Sequence, residues 1–274
     1  MRRIVLLVCL LAFGLPLAAQ QMTPDRGLVS LETADASRGW EGVGKLLLGK
    51  RGFCTGTLIA PQVVLTAAHC LFDKETGARI ATSEMQFLAG WRNGRAAAYR
   101  GVRRALAHPE YVYSGRDKLD RVGFDLALVE LDQPIRLPSL SPFETGVAPV
   151  QGDRVGVVSY AQDRSEAPSM QELCEVLGTR PDVLVLSCSV DFGSSGSPVF
   201  SMRGGVARVI SVVSAKAEVE GRKVALAAPL EGPLAELQAA LARDGTARVG
   251  AQGVKLLAGG GAGGGAGGAK FVKP

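Results

Sequence analysis

The stretch VDFGSSGSPVF, residues 190–200, crowds Ser194, Ser195 and Ser197 around Gly193 and Gly196. Glycine and serine together ordinarily mark a turn. Such a turn can also present a nucleophile, because glycine lets the backbone aim amide N–H groups at a developing oxyanion. A serine hydroxyl reacts poorly until a base takes its proton, and a third group must hold that base in one tautomer. The chain has two histidines, so the candidate bases are His69 in VVLTAAHC and His108 in LAHPEY. His69 follows an apolar, strand-like run that ends in small residues, whereas His108 precedes a proline on a polar loop. A candidate for the orienting carboxylate is Asp125 in GFDLALVEL, immediately before an apolar run. Burial beside that run leaves it ionised only if it is paired. Taken singly, His69 also reads as a buried structural histidine and Asp125 as a strand-end residue. With the serines, they read as the parts of a nucleophilic acyl transfer.

Groups so far apart in sequence need a scaffold to meet, and the composition points to strands. Hydrophobic residues make up 47% of 274 residues, aromatic ones 5%, and there are 35 glycines. That favours many short strands and turns over long helices. Residues 20–39 are polar and unpatterned and read as a flexible leader. From Trp40 the runs GKLLLG, FCTGTLIA, QVVLTAA, MQFLAG and DLALVEL are each strand-length and end in turn formers. The Pro-rich stretch 133–149 reads as an extended linker. A second set follows: RVGVVSY, VLVLSC, SPVF, VARVISVVS and KVALAA. PLAELQAALARDG has helical periodicity over 233–244 and a glycine stop. The Gly-rich residues 246–274 read as a disordered tail. The expectation is an all-β chain of two halves, about 40–135 and 150–230, with a terminal helix.

The first 19 residues, two arginines and then an apolar run ending in Leu-Ala-Ala, read as a secretory signal cleaved near Ala19. Removal takes Cys9 with it and leaves Cys54, Cys70, Cys174 and Cys188, an even number that suits disulfides in an oxidising compartment. The turn-like TRPD midway between Cys174 and Cys188 folds a hairpin that sets those two opposite each other, so Cys54 pairs with Cys70 by default. A zinc site is the rival use, but no CxxC pair or histidine set accompanies these cysteines. The formal charge of +5 comes partly from the ends: Arg2 and Arg3 leave with the signal, and 245–274 carries four basic residues and no acid. No basic cluster interleaved with aromatics marks a nucleic-acid face. No later segment is long and apolar enough to span a bilayer, so no membrane partner is expected after signal cleavage. Export to the periplasm or the outside follows.

FCTGTLIAPQVVLTAAHC, DLALVELDQPI and GSSGSPVF resemble the His, Asp and Ser blocks of the chymotrypsin/trypsin-like serine proteases, in that family's order. The Ser-Gly-Ser-Pro ending is similar to the secreted bacterial branch that includes glutamyl endopeptidase-like enzymes. The resemblance covers roughly 40–230 and implies two six-stranded antiparallel β-barrels with the site in the cleft between them. It implies Ser195 as nucleophile, His69 as general base and then acid, Asp125 as its orienter, and the N–H groups of Gly193 and Ser195 as oxyanion donors. It implies a protein or peptide substrate and needs neither cofactor nor metal. An esterase of α/β-hydrolase type is excluded by order, since that fold runs Ser, Asp, His. A non-catalytic homologue that uses the fold for binding is the alternative, although such relatives usually lack a triad residue.

The same resemblance places Ser189 at the floor of the substrate pocket, where an aspartate would select Lys or Arg. Ser214 falls beside the triad carboxylate, and Lys216 where a glycine usually lines the pocket. The Lys216 amine could attract an acidic side chain, its stem could narrow the pocket, or it could point into solvent. Val213 stands where glutamate-specific enzymes have a histidine, which argues against strict glutamyl specificity. Ser194 occupies the place of the acid that normally pairs with a newly cut N-terminal ammonium. A hydroxyl cannot neutralise a buried ammonium. The expectation is a turn held by local hydrogen bonds without an activating cut, with Asp191 the one nearby acid that could substitute.

Overall fold

The computed structural model describes residues 27–113, 119–219 and 221–252. The signal segment expected at 1–19 and the run after residue 252 lie outside them. The described chain opens with a two-residue strand, β1 (Val29–Ser30). Next come β2 (Val43–Leu48), β3 (Phe53–Ala60), β4 (Val63–Thr66), β5 (Met85–Ala89), β6 (Ala98–Ala107) and β7 (Ala127–Leu131). These six close an antiparallel barrel in the order β2-β3-β4-β7-β6-β5. Leu46, Leu58, Leu65, Phe87 and Leu128 fill it with no exposed surface. Five of its strands are apolar runs in the sequence; β6 is not, because AYRGVRRALA carries three arginines. Arg104 is nevertheless buried, with Nε on the Glu130 carboxylate of β7.

The second set is β8 (Arg154–Ala161), β9 (Arg164–Arg180), β10 (Val183–Leu186), β11 (Pro198–Ser201), β12 (Arg208–Val219) and β13 (Arg222–Pro229). They run in the order β9-β10-β13-β12-β11-β8, and pairing of β8 with β9 closes a second six-stranded antiparallel barrel. The 17-residue β9 serves both ends of the sheet, its first part against β8 and its last part against β10. The barrels share apolar packing: the rings of Trp40, Phe143 and Phe200 meet at 4.8–5.8 Å between centroids. Phe143 comes from the Pro-rich connection, which lies along the first barrel through Ile135 N–H to the Pro61 carbonyl and Phe143 N–H to the Leu58 carbonyl.

Two expectations need correction. Residues 29–31 of the expected leader are engaged by the fold. Val29 and Ser30 pair with Met170 and Ser169 of β9, and Leu31 is buried beyond them, so LVSL supplies both ladder bonds and an apolar anchor. The terminal helix α1 (Pro233–Gln252) also runs past Gly245, into residues expected to be disordered tail. Gly245 and Gly250 each cost about 1 kcal/mol against alanine in a helix, set against good helix formers such as the alanines and arginines beside them. The helix returns to the first barrel: Leu234 and Leu237 are buried, and Arg104 Nη1 donates to the Leu241 carbonyl at 3.3 Å. Among the described residues no helix is long and apolar enough to cross a membrane.

Candidate active site

His69 sits in a single 3-10 turn, Ala68–Leu71, directly after β4. The turn is stapled to β3 by the Cys54–Cys70 disulfide, whose Cα atoms are 6.2 Å apart. That bond consumes the two thiols nearest His69, so Cys54, His69 and Cys70 offer no thiolate set to a metal. Asp125 directly follows the 3-10 turn Leu119–Phe124, just before β7, and meets His69. Its Oδ1 accepts the His69 backbone N–H at 2.8 Å, and its Oδ2 lies 2.7 Å from His69 Nδ1. Ser214 on β12 donates its hydroxyl to the same Oδ2. With 3% exposure, burial pushes the Asp125 carboxyl up; the His69 charge and hydrogen bonds and the Ser214 hydroxyl outweigh it and hold the group below the ordinary range. The carboxylate thus fixes Nδ1 as the donor and leaves Nε2 to act as base.

The three serines separate by burial. Ser194 and Ser197 have no exposed surface, whereas Ser195 is partly exposed. Ser197 Oγ finds no partner among the described residues, and Ser194 Oγ donates to the Tyr160 carbonyl at 3.3 Å. The turn is drawn tightly onto β3. Thr55 N–H donates to the Ser195 carbonyl, and Thr55 Oγ1 to the Gly193 carbonyl, both at 2.8 Å. Two positions there admit only glycine. Gly193 has φ +97°, and a Cβ would stand 2.6 Å from the Phe53 ring; at Gly196, φ +80°, it would stand 2.2 Å from the Thr55 carbonyl oxygen. The amides of Ser194, Gly196 and Ser197 donate to the carbonyls of Asp191, Val213 and Ser194. Those of Gly193 and Ser195 have no backbone acceptor among the described residues.

Other expected site residues are placed less centrally. His108 is buried beneath α1, stacked on Phe124 at 4.9 Å with Nε2 3.4 Å from Glu236, and takes no part in the serine turn. Ser189 is exposed, its amide donating to Gln171 Oε1 at 2.7 Å. Lys216 turns back on the turn itself: Nζ lies 2.9 Å from Asp191 Oδ1 and 4.3 Å from the centre of the Phe192 ring. Through that bond and the Phe192 N–H, the Asp191 carboxyl is held below its ordinary range. Asp191 is 56% exposed and engaged at the surface, so it is no buried acid awaiting an ammonium. Cys174 and Cys188 are joined, as the hairpin spacing anticipates. Sequence reading missed Thr55, which latches the turn to the first barrel. Its fully buried hydroxyl must find partners, but nothing in FCTGTL announces that burial.

Comparison with known proteins bears on family and fold. Residues 54–207 match the family model of the trypsin-like peptidase domain. The glutamyl endopeptidase of Bacillus licheniformis is 25% identical over 150 residues, covering 54% of this chain and 45% of that protein. Serine protease 23 of Mus musculus is 30% identical over 167 residues, covering 54% and 42%. The chain spans less than half the length of these curated relatives. A solved Glu endopeptidase in complex with MPD superposes with a TM-score of 0.65 over 80% of this chain and 98% of that one; at 17% identity this speaks for the fold alone. With the matched region covering more than half of its residues, this chain is a member of the trypsin-like peptidase domain family, in the two-barrel chymotrypsin-like fold.

Proposed function

We propose that this chain is an exported serine endopeptidase that hydrolyses peptide bonds through an acyl-enzyme on Ser195. The observation that carries the reading is the hydrogen-bonded chain Ser214–Asp125–His69, taken with a glycine-bound turn in which Ser195 is the one partly exposed serine. In this reading Ser195 Oγ attacks the scissile carbonyl carbon while His69 Nε2 takes its proton. The carbonyl oxygen becomes an oxyanion held by the Gly193 and Ser195 amides. His69 then gives the proton to the leaving amine, the C–N bond breaks, and the acyl group stays on Ser195. Water, deprotonated by the same imidazole, releases the acid and restores the hydroxyl. Asp125 stays ionised throughout and stabilises the imidazolium.

Substrate and location belong to the same reading. Relatives named glutamyl endopeptidase and serine protease 23 support a protein or peptide substrate. Ser189 offers no carboxylate for a basic side chain, and Val213 no imidazole for an acidic one, which supports cleavage without strict Lys/Arg or Glu preference. The signal read from residues 1–19 of the sequence and two disulfides support export.

The test is covalent labelling with a fluorophosphonate, which reacts only with an activated serine. Ser194→Ala and Ser197→Ala keep the label, and Ser195→Ala loses it together with peptide hydrolysis. A purified protein that takes no label and cleaves no member of a peptide library is instead a binding homologue of the family.

A further inference from the structure

The hairpin between β8 and β9 carries Arg164, to which the triad chemistry gives no role. Its guanidinium lies behind the serine turn with its side chain 16% exposed. Nη1 donates to the Ser159 carbonyl at 2.8 Å, and Nη2 to Ser159 Oγ at 3.0 Å and Ser194 Oγ at 3.3 Å. Resting on the peptidase reading above, we propose that Arg164 is a positioning residue for the reaction: a cation built into the fold that sets the turn bearing the Gly193 and Ser195 amides.

The hydrogen bonds converge on that turn. Ser194 Oγ accepts from the Asp191 N–H and from Arg164 and donates to the Tyr160 carbonyl, each at 3.3 Å. A hydroxyl has one proton and two lone pairs, so Ser194 is saturated and cannot rotate without losing a bond. Two residues before Arg164, the Gln162 N–H donates to the Phe192 carbonyl at 2.8 Å. The hairpin therefore grips the turn on both sides of Gly193. It is itself fixed to the first barrel, by Lys45 Nζ on the Ser165 carbonyl at 3.2 Å and the Asn93 N–H on the Glu166 carbonyl at 2.6 Å.

A cation is costly in this place, which makes its presence informative. Burial works against the Arg164 charge, and the nearest carboxylate oxygen, Asp163 Oδ1, stands 4.0 Å away on a side chain 74% exposed. Asp191 also attracts the Arg164 charge, but its carboxylate is bonded to Lys216. Guanidinium stays charged and offers a planar fork of donors, so the serine oxygens that receive it hold it in one orientation. Near the described start of the chain, Val29 and Ser30 are paired with Met170 and Ser169 of β9. The cation that organises the turn comes from the chain's interior.

The test uses the secreted protein beginning at Gln20 and three variants: Arg164→Met, Arg164→Gln and Arg164→Lys. Arg164→Gln keeps a polar end and serves if Arg164→Met does not fold. Hydrogen–deuterium exchange is read for the segment 189–197, with kcat, KM and peptide-boronate affinity measured alongside. In the neutral variants that segment exchanges about tenfold faster while β2–β7 keep the parent's protection. Their kcat and boronate affinity fall about tenfold, short of the hundredfold or more for deleting an oxyanion donor outright. KM stays within about threefold, and Arg164→Lys restores part of each loss. A parent that turns over substrate beside a folded neutral variant with unchanged exchange or unchanged kcat overturns the role of Arg164 alone. A parent that hydrolyses nothing overturns the peptidase reading, and the exchange of the segment then decides whether Arg164 holds the turn.

Discussion

Ser214→Ala removes one oxygen from the chain that fixes Asp125, and its effect can be worked out in advance. The carboxylate is buried and accepts three donors: the His69 N–H, His69 Nδ1 and the Ser214 hydroxyl. Deleting the third leaves a buried charge one partner short. Hydrogen bonds to charged groups are each worth about 1.5–3 kcal/mol, so a loss of that size is expected at neutral pH. Asp125 has its folded-state pKa below the unfolded value, so its stabilisation is present above the unfolded pKa and lost as pH falls through the folded one. Ser214→Ala raises the folded pKa. The gap between parent and variant is therefore full at pH 7. It begins to close at the variant's raised pKa and has closed below the parent's. Urea denaturation followed by the fluorescence of the partly buried Trp40 and Trp91, repeated down a pH series, measures this directly. A neutral-pH difference within about 0.5 kcal/mol, the range of ordinary surface substitutions, would refute the reasoning. A difference that stays constant down to the lowest pH at which both proteins fold would refute it too.

Three further outcomes are expected. Gly196→Ala places a methyl 2.1 Å from Thr66 Oγ1 at a φ of +80°, and the left-handed conformation alone costs about 1–2 kcal/mol. The variant melts lower and labels with fluorophosphonate more slowly, and parent-like values of both would remove the tight-turn argument. Replacing Cys54 and Cys70 by alanine opens a loop closed over a sequence separation of 16, for which chain entropy gives about 3 kcal/mol. Denaturation of the double variant reads that loss, and an undiminished stability would show that the staple is idle. Forms beginning at Gln20, with and without extra residues fused in front, give comparable active fractions on active-site titration. Activity that appears only after a defined cut between Gln20 and Trp40 would instead restore an N-terminal trigger.

The parts of this molecule legible in its sequence are those where chemistry and pattern coincide. His69, Asp125 and the serine turn each adjoin an apolar run, and apolar runs are strands whose positions can be read. Elements whose stability comes from pairing rather than hydrophobicity went unread. β6 hides behind Arg100, Arg103 and Arg104, because the ion pair that lets Arg104 be buried needs Glu130 of another strand. β9 hides behind Pro168 and a polar run, since its partners lie on three other strands. Arg164 looks like any charged residue in a hairpin; only the approach of Ser159 and Ser194 gives it a place. Gly245 reads as a stop because the helix's docking on the first barrel is invisible locally.

The latch between Thr55 and the serine turn also bears on how the protein is made. Its two ends are 138 residues apart in the chain, and the contact between Arg104 and the terminal helix spans 137. Contacts of such range form late, after the closure of long loops. On a ribosome the first barrel is synthesised long before the turn that caps its cleft and the helix that covers its side. A half-made chain therefore holds the strands of the first barrel and no serine turn. Competence to cut peptide bonds, on the reading proposed here, is withheld until nearly the whole chain has emerged. If the chain is exported, as proposed here, the long-range latch is itself a safeguard written into chain order.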